Sequence, residues 1–228
     1  TPWWLVIAVI CSISYLASRS LRLSLGVAIA FFAIGYFGMW EDTMQTMSII
    51  LVCTLLAIIL GIPLGILMSR SDRLQKLLIP LLDVMQTMPS FVYLIPTLTL
   101  FGLGVVPGLI STIVFAIAAP IRLTYLGISE VPSELLEAGK AFGCTKRNLL
   151  IKIEIPAAMS SIRAGVTQCI MLSLSMVVIA ALVGADGLGK PVVRALNTVD
   201  IAMGFEAGLA IVLVAIMLDR LSKSRHHA

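Results

Sequence analysis

The sequence predicts an all-α membrane protein with about seven transmembrane helices. Composition is the first reason: 59% of the residues are hydrophobic and only 12% are charged. Soluble domains carry roughly 25% charged residues, so this chain has too few polar groups to cover a surface in water. The mean hydropathy of +1.06 makes the same point. Length is the second reason. At about 20 apolar residues per crossing, 228 residues hold a set of helices and short loops, with no segment left for an independent soluble domain. A catalytic domain, where one is needed, is therefore expected on another chain.

Apolar stretches mark expected spans at about 3–17, 21–40, 44–68, 88–103, 105–123, 157–183 and 202–218. The first is short for a crossing. Nothing basic precedes it, so a cleavable leader is not expected. Trp3, Trp4 and Trp40 suit an interfacial belt. The segment 72–85 places Leu74, Leu77, Leu78, Leu81 and Leu82 at helical spacing beside charged residues, so it is expected to lie along the membrane interface. The fourth span carries Pro89 and Pro96. A broken helix frees backbone groups, so this span either borders a cavity or forms a kink sealed by its neighbours. Gly61 and Gly65 are spaced for close helix packing.

The connections carry the charge. Arg19 and Arg22, then Arg70, Arg73 and Lys76, then Lys140, Lys146, Arg147 and Lys152, and finally Arg220, Lys223 and Arg225 fall on one side if every expected span crosses. The other side holds Lys190 and Arg194 against Glu41, Asp42, Asp186 and Asp200. The positive-inside rule then puts the N-terminus outside and the C-terminus in the cytoplasm. The net charge of +4 thus speaks to topology and not to nucleic-acid binding.

Several chemistries find no support. Cys11, Cys53, Cys144 and Cys169 have no metal-ligand spacing and read as inert thiols. His226 and His227 sit in the terminal tail. Gly187-Leu188-Gly189-Lys190 lacks phosphate-loop spacing and is followed by Pro191, so ATP hydrolysis is not expected of this chain. The span interiors lack acids, His and Lys; Glu206 and Arg163 lie near span ends, within reach of the interface. Proton relays need such groups inside the membrane, so energy is expected from outside the chain. No catalytic, cofactor or metal residue is expected.

The longest basic-side connection, 129–156, reads SEVPSELLEAGKAFGCTKRNLLIKIEIP. Pro132 suits a first helical turn, Glu134 favours the N-terminal end, and Gly143 stops the helix. Thr145 caps a second short helix over 146–153, and Pro156 leads into the next span. Such a helix–turn–helix is too large and too ordered for a mere connector.

Glu137, Ala138, Gly139 and Gly143, followed by Ile153, Ile155 and Pro156, resemble the cytoplasmic EAA loop of permease subunits from binding-protein-dependent ABC importers. The family usually has Ala where this chain has Gly139. The likeness extends over most of the chain beyond Met44. PLLDVMQTMPSFVYLIP, LFGLGVVPG, PIRLTYLGISEVP and LSLSMVVIAALVGADGLGKPV are similar to permeases for glycine betaine, proline betaine and choline.

The resemblance implies a type I ABC importer permease (MetI-like) fold. Residues 42–228 would form the importer domain and 1–41 would lie outside the family's core. It implies transport of quaternary ammonium osmolytes across the inner membrane by a homodimer, with two copies of a cytoplasmic ATP-binding subunit that hold ATP and Mg. An extracytoplasmic substrate-binding protein would deliver the solute. Glu137, Ala138, Gly139 and Gly143 would dock on the ATPase, with Ala138 and Gly139 allowing close approach. The segment around Gly187 either meets the binding protein, gates the path or is a simple turn. Aromatic faces suit a trimethylammonium group, so Phe91 and Tyr93, with Ser173 and Ser175, either line the path or serve helix packing. Two alternatives to this reading are an ABC permease for another solute, such as an amino acid, and an ion-coupled carrier working alone.

Overall fold

The computed structural model describes residues 21–223 and residue 12. The first expected span apart from residue 12, with Trp3, Trp4 and Cys11, then Arg19, and the tail with Arg225, His226 and His227 lie outside the described residues. Among the described residues all regular structure is helical. α1 (Leu21–Tyr36) ends at a turn where Gly38 takes a φ of 69°, and α2 (Trp40–Met68) starts at Trp40, earlier than expected. Glu41 and Asp42 therefore stand in the first turn of α2 and not in a loop. The positive end of the helix dipole favours them there.

α3 (Asp72–Thr87) is capped by Ser71, whose hydroxyl accepts from the Leu74 N–H at 3.4 Å. Its apolar side packs Leu82 with Met68, Ala118 and Ile121. Met88 is forced into extended backbone by Pro89. The chain there bends by 110° into a turn at Ser90–Tyr93 and then α4 (Leu94–Phe101). Turn and helix together rise only about 18 Å, short of the roughly 30 Å hydrocarbon core. The expected fourth span is thus the shorter arm of a bent unit.

α5 (Val105–Ala116) and α6 (Ala118–Ser129) form one span of 25 residues, longer than the expected 105–123. Pro120 has no N–H for the Ala116 carbonyl, which explains the break at Ile117. α7 (Ser133–Ala141) and α8 (Lys146–Leu149) lead through a π turn (Leu150–Glu154) and α9 (Ile155–Ala157) into α10 (Met159–Ala181). α11 (Gly189–Thr198) is a helix inside a stretch expected as loop, and α12 (Ile201–Lys223) closes the bundle. Four helices among the described residues are long and apolar enough to cross a membrane: α2, α5–α6, α10 and α12.

α2, α6 and α10 form a tightly packed trio. The Pro120 ring sits between Gly61 and Gly165: a Cβ on Gly61 would meet Pro120 Cγ at 3.0 Å, and one on Gly165 would meet Pro120 Cα at 3.2 Å. Lipid is as apolar as leucine, so association rests on such close van der Waals fit. Near the start of α2, the Thr46 hydroxyl accepts from the Leu188 N–H at 2.8 Å, with both residues fully buried. Thr46→Val leaves that N–H without a partner, at an expected cost of about 1–3 kcal/mol. The measurement is the melting temperature of the purified protein in detergent; an unchanged value would contradict it.

Candidate functional site

The loop 129–156 folds into a compact elbow at the basic end. Glu134 occupies the first turn of α7 and Lys140 the last, matching the helix dipole at both ends. Gly143 adopts a φ of 76°, a left-handed value that favours glycine. The Cys144 N–H then donates to the Gly139 carbonyl at 3.0 Å and closes the helix end. The Thr145 hydroxyl accepts from the Asn148 N–H at 3.3 Å, as expected of a cap.

The four residues assigned to docking do not share one face. Glu137, Ala138 and Gly143 are exposed, whereas Gly139 is buried. A Cβ on Gly139 would lie 2.5 Å from Ile153 Cδ1 and 2.7 Å from Leu149 Cδ1. Gly139 therefore seats α7 on the returning segment of the elbow itself, so the close approach it allows is within the chain. The reason is angular: neighbours on a helix are about 100° apart, so Ala138 faces out while Gly139 faces in.

Sequence reasoning missed Leu135 and Phe142, which are 47% and 90% exposed. With Ala138 they make an apolar stripe along the outer edge of α7, and their i, i+3, i+7 spacing is the signal that could have found them. It also missed Arg70–Glu154. Glu154 is 3% exposed, the charged residue buried among the described ones, and it accepts an ion-paired hydrogen bond from Arg70 at the end of α2. The clue was an acid alone among isoleucines in Ile153-Glu154-Ile155.

The residues expected along a path separate into two kinds. Phe91 is 54% exposed beside the 110° bend. Tyr93 is buried, its hydroxyl donates to the Met85 carbonyl across the bend, and its ring meets Phe115 edge-on at 5.6 Å. Tyr93 thus braces the break. Ser173 is fully buried beside Cys169, while Ser175 is exposed and donates to the Met171 carbonyl at 3.0 Å. Two residues apart on a helix, they face nearly opposite ways. Hence Ser173 faces the bundle interior and Ser175 its outer side.

At the opposite end, α11 leans over the start of α12. A cleft of about 640 Å³ opens between them and the α1–α2 turn, lined in part by Phe37, Asp42, Lys190, Arg194, Asp200 and Glu206. The Asp186 carboxylate pairs with Lys190 and holds its ammonium above the ordinary lysine value. Near the bend, Arg122 donates at 2.7 Å to both Asp83 and Gln86, which ties α6 to α3.

Residues 57–223 match the family described as binding-protein-dependent transport system inner membrane component. The glycine betaine transport system permease protein OpuAB of Bacillus subtilis is 46% identical over 89% of this chain and 72% of its own length. The glycine betaine/proline betaine transport system permease protein ProW of Escherichia coli is 47% identical over 88% of this chain, which spans little more than half (57%) of that relative. The glycine betaine/carnitine transport permease protein GbuB of Listeria monocytogenes is 42% identical over 98% of this chain and 80% of its own length. An inward-facing structure of the MetNI methionine ABC transporter superposes with a TM-score of 0.71 at 19% identity, covering 81% of this chain and 94% of that one. At that identity the likeness is one of fold. An elbow on a bundle of apolar helices, matched by this family over most of the chain, identifies the protein as a member of the binding-protein-dependent inner membrane components, the permeases of ABC importers.

Proposed function

We propose that the chain is the membrane-spanning subunit of an ATP-driven importer for quaternary ammonium osmolytes such as glycine betaine, proline betaine or choline. The substrate class is supported by relatives at 42–47% identity that are transport permeases for glycine betaine, proline betaine and carnitine. The coupling role rests on one observation: a compact elbow at the basic end presents Glu137, Ala138, Leu135 and Phe142 outward. An apolar edge flanked by a carboxylate is the chemistry of a helix seated in a partner's groove.

In this reading two copies of the chain pair, and each elbow enters a groove on one of two cytoplasmic ATPase subunits, which hold ATP and Mg. The basic end is cytoplasmic, by the positive-inside rule, and a binding protein delivers solute at the end that carries the α11–α12 cleft. Residues 42–228 form the transport domain, with 1–41 outside it. Phe91, exposed at the bend, is the aromatic best placed to meet a trimethylammonium group.

The test is to co-purify the chain with its ATPase and binding protein, reconstitute the complex in a bilayer, and measure hydrolysis with each solute. Glycine betaine is expected to stimulate hydrolysis and to compete with labelled solute for uptake. Stimulation by amino acids alone would overturn the substrate class. Uptake driven by an ion gradient without the ATPase would overturn the energy source.

A further inference from the structure

The elbow meets the end of α2 at a buried carboxylate, beside an apolar cluster that gathers Ile62, Ile66 and Ile155, and α2 reaches the far end of the bundle. Gly139 rests on Leu149 and Ile153, and the next residue, Glu154, turns inward to Arg70, just beyond the end of α2. The segment Leu150–Glu154 is a π turn. An α-helix places residues 153 and 154 about 100° apart, and the wider π turn changes the register there, which is why such turns recur at functional sites. From Met68, α2 runs 29 residues back to Trp40. Near that end Thr46 holds the Leu188 N–H at 2.8 Å, and Gly187 packs so closely that a Cβ on it would lie 2.5 Å from Thr46 Oγ1. Between these ends α2 is clasped to α6, where a Cβ on Gly65 would come within 2.7 Å of the Ile121 carbonyl.

We propose that Arg70 and Glu154 are positioning residues that join the elbow to α2, so that elbow displacement moves α2 and, through Thr46, the segment at Leu188. The inference rests on the coupling role proposed above for the elbow. Glu154 is buried while the Arg70 side chain is 40% exposed, so pulling the pair apart strands the carboxylate, not the guanidinium, away from water, which makes the contact a directional link. α2 is one continuous helix from Trp40 to Met68, with Pro63 inside it, and packed helices are one route by which such coupling travels.

The experiment uses the complete transporter in a bilayer and reads solute moved per ATP hydrolysed. Glu154→Gln and Arg70→Met are each expected to lower that ratio about tenfold while hydrolysis continues. The exchanged pair, Arg70→Glu with Glu154→Arg, is expected to recover it to within about threefold, the non-additivity of a direct contact. A wild-type ratio in either single variant would overturn the proposal, as would an exchanged pair that assembles without recovery. Loss of assembly in both single variants and in the exchanged pair would assign these residues to folding and overturn it equally. A parallel arm with Glu137→Lys separates the two readings. If Glu137→Lys uncouples and the Arg70 and Glu154 variants do not, only the joint fails; if Glu137→Lys leaves coupling intact, the elbow reading itself fails.

Discussion

Gly139→Trp is expected to abolish coupling while the protein still inserts and folds its membrane core. An added Cβ already reaches 2.5 Å from Ile153 Cδ1 and 2.7 Å from Leu149 Cδ1. Both atoms are tips of flexible side chains, so a methyl group is accommodated by a change of rotamer. An indole is not. It must lift α7 from its seat and displace the stripe of Leu135, Ala138 and Phe142. Gly139→Ala should therefore keep uptake within about threefold of wild type, and Gly139→Trp should lose at least about tenfold, the span of typical coupling energies. The measurement is ATP-dependent uptake at matched membrane abundance. Equal uptake by the two variants would show that the seat carries no function.

Gly65→Val is expected to give the largest loss of stability. Here the first obstacle is backbone: the Ile121 carbonyl oxygen stands 2.7 Å from the added Cβ, with Thr124 Cβ at the same distance. No rotamer relieves that clash, so α2 and α6 must separate, and the close fit that holds helices together in lipid is lost along the contact. Overpacking of this kind costs about 3 kcal/mol, which lowers the melting temperature by about 6–12 °C in a chain of this size. Thermal unfolding in detergent reads it directly. A substitution at Gly26, where nothing stands within 4 Å of the added Cβ, is the control and should change little.

The parts of this structure legible in the sequence are those written in solvent preference or local chemistry. Long apolar runs gave α2, α10 and α12, and their ends fell within a few residues of expectation where charge changed abruptly. Ser71, Pro89, Gly143 and Thr145 act locally, so the start of α3, its sharp end and both helix boundaries in the elbow could be read from neighbours alone. α11 was missed because its ten residues include Gly189, Lys190, Pro191 and Arg194, a turn-like composition. It packs against α10 and α12. The facing of Gly139, Tyr93 and Ser173 was not legible either, because it depends on which distant residue lies opposite. Arg70 and Glu154 are 84 positions apart, and neither had a feature that named the other.

The Pro120 clasp has a mechanical consequence. If α2 tilts as a stiff rod about its contact at Gly61, the arm toward Met68 is about 10 Å and the arm toward Thr46 about 22 Å, at 1.5 Å per residue. A lever of those proportions roughly doubles movement and halves force between its ends. Small strokes at the elbow would then suffice for wide excursions at Leu188, and the fulcrum, not either tip, would be the place where added bulk stalls the machine.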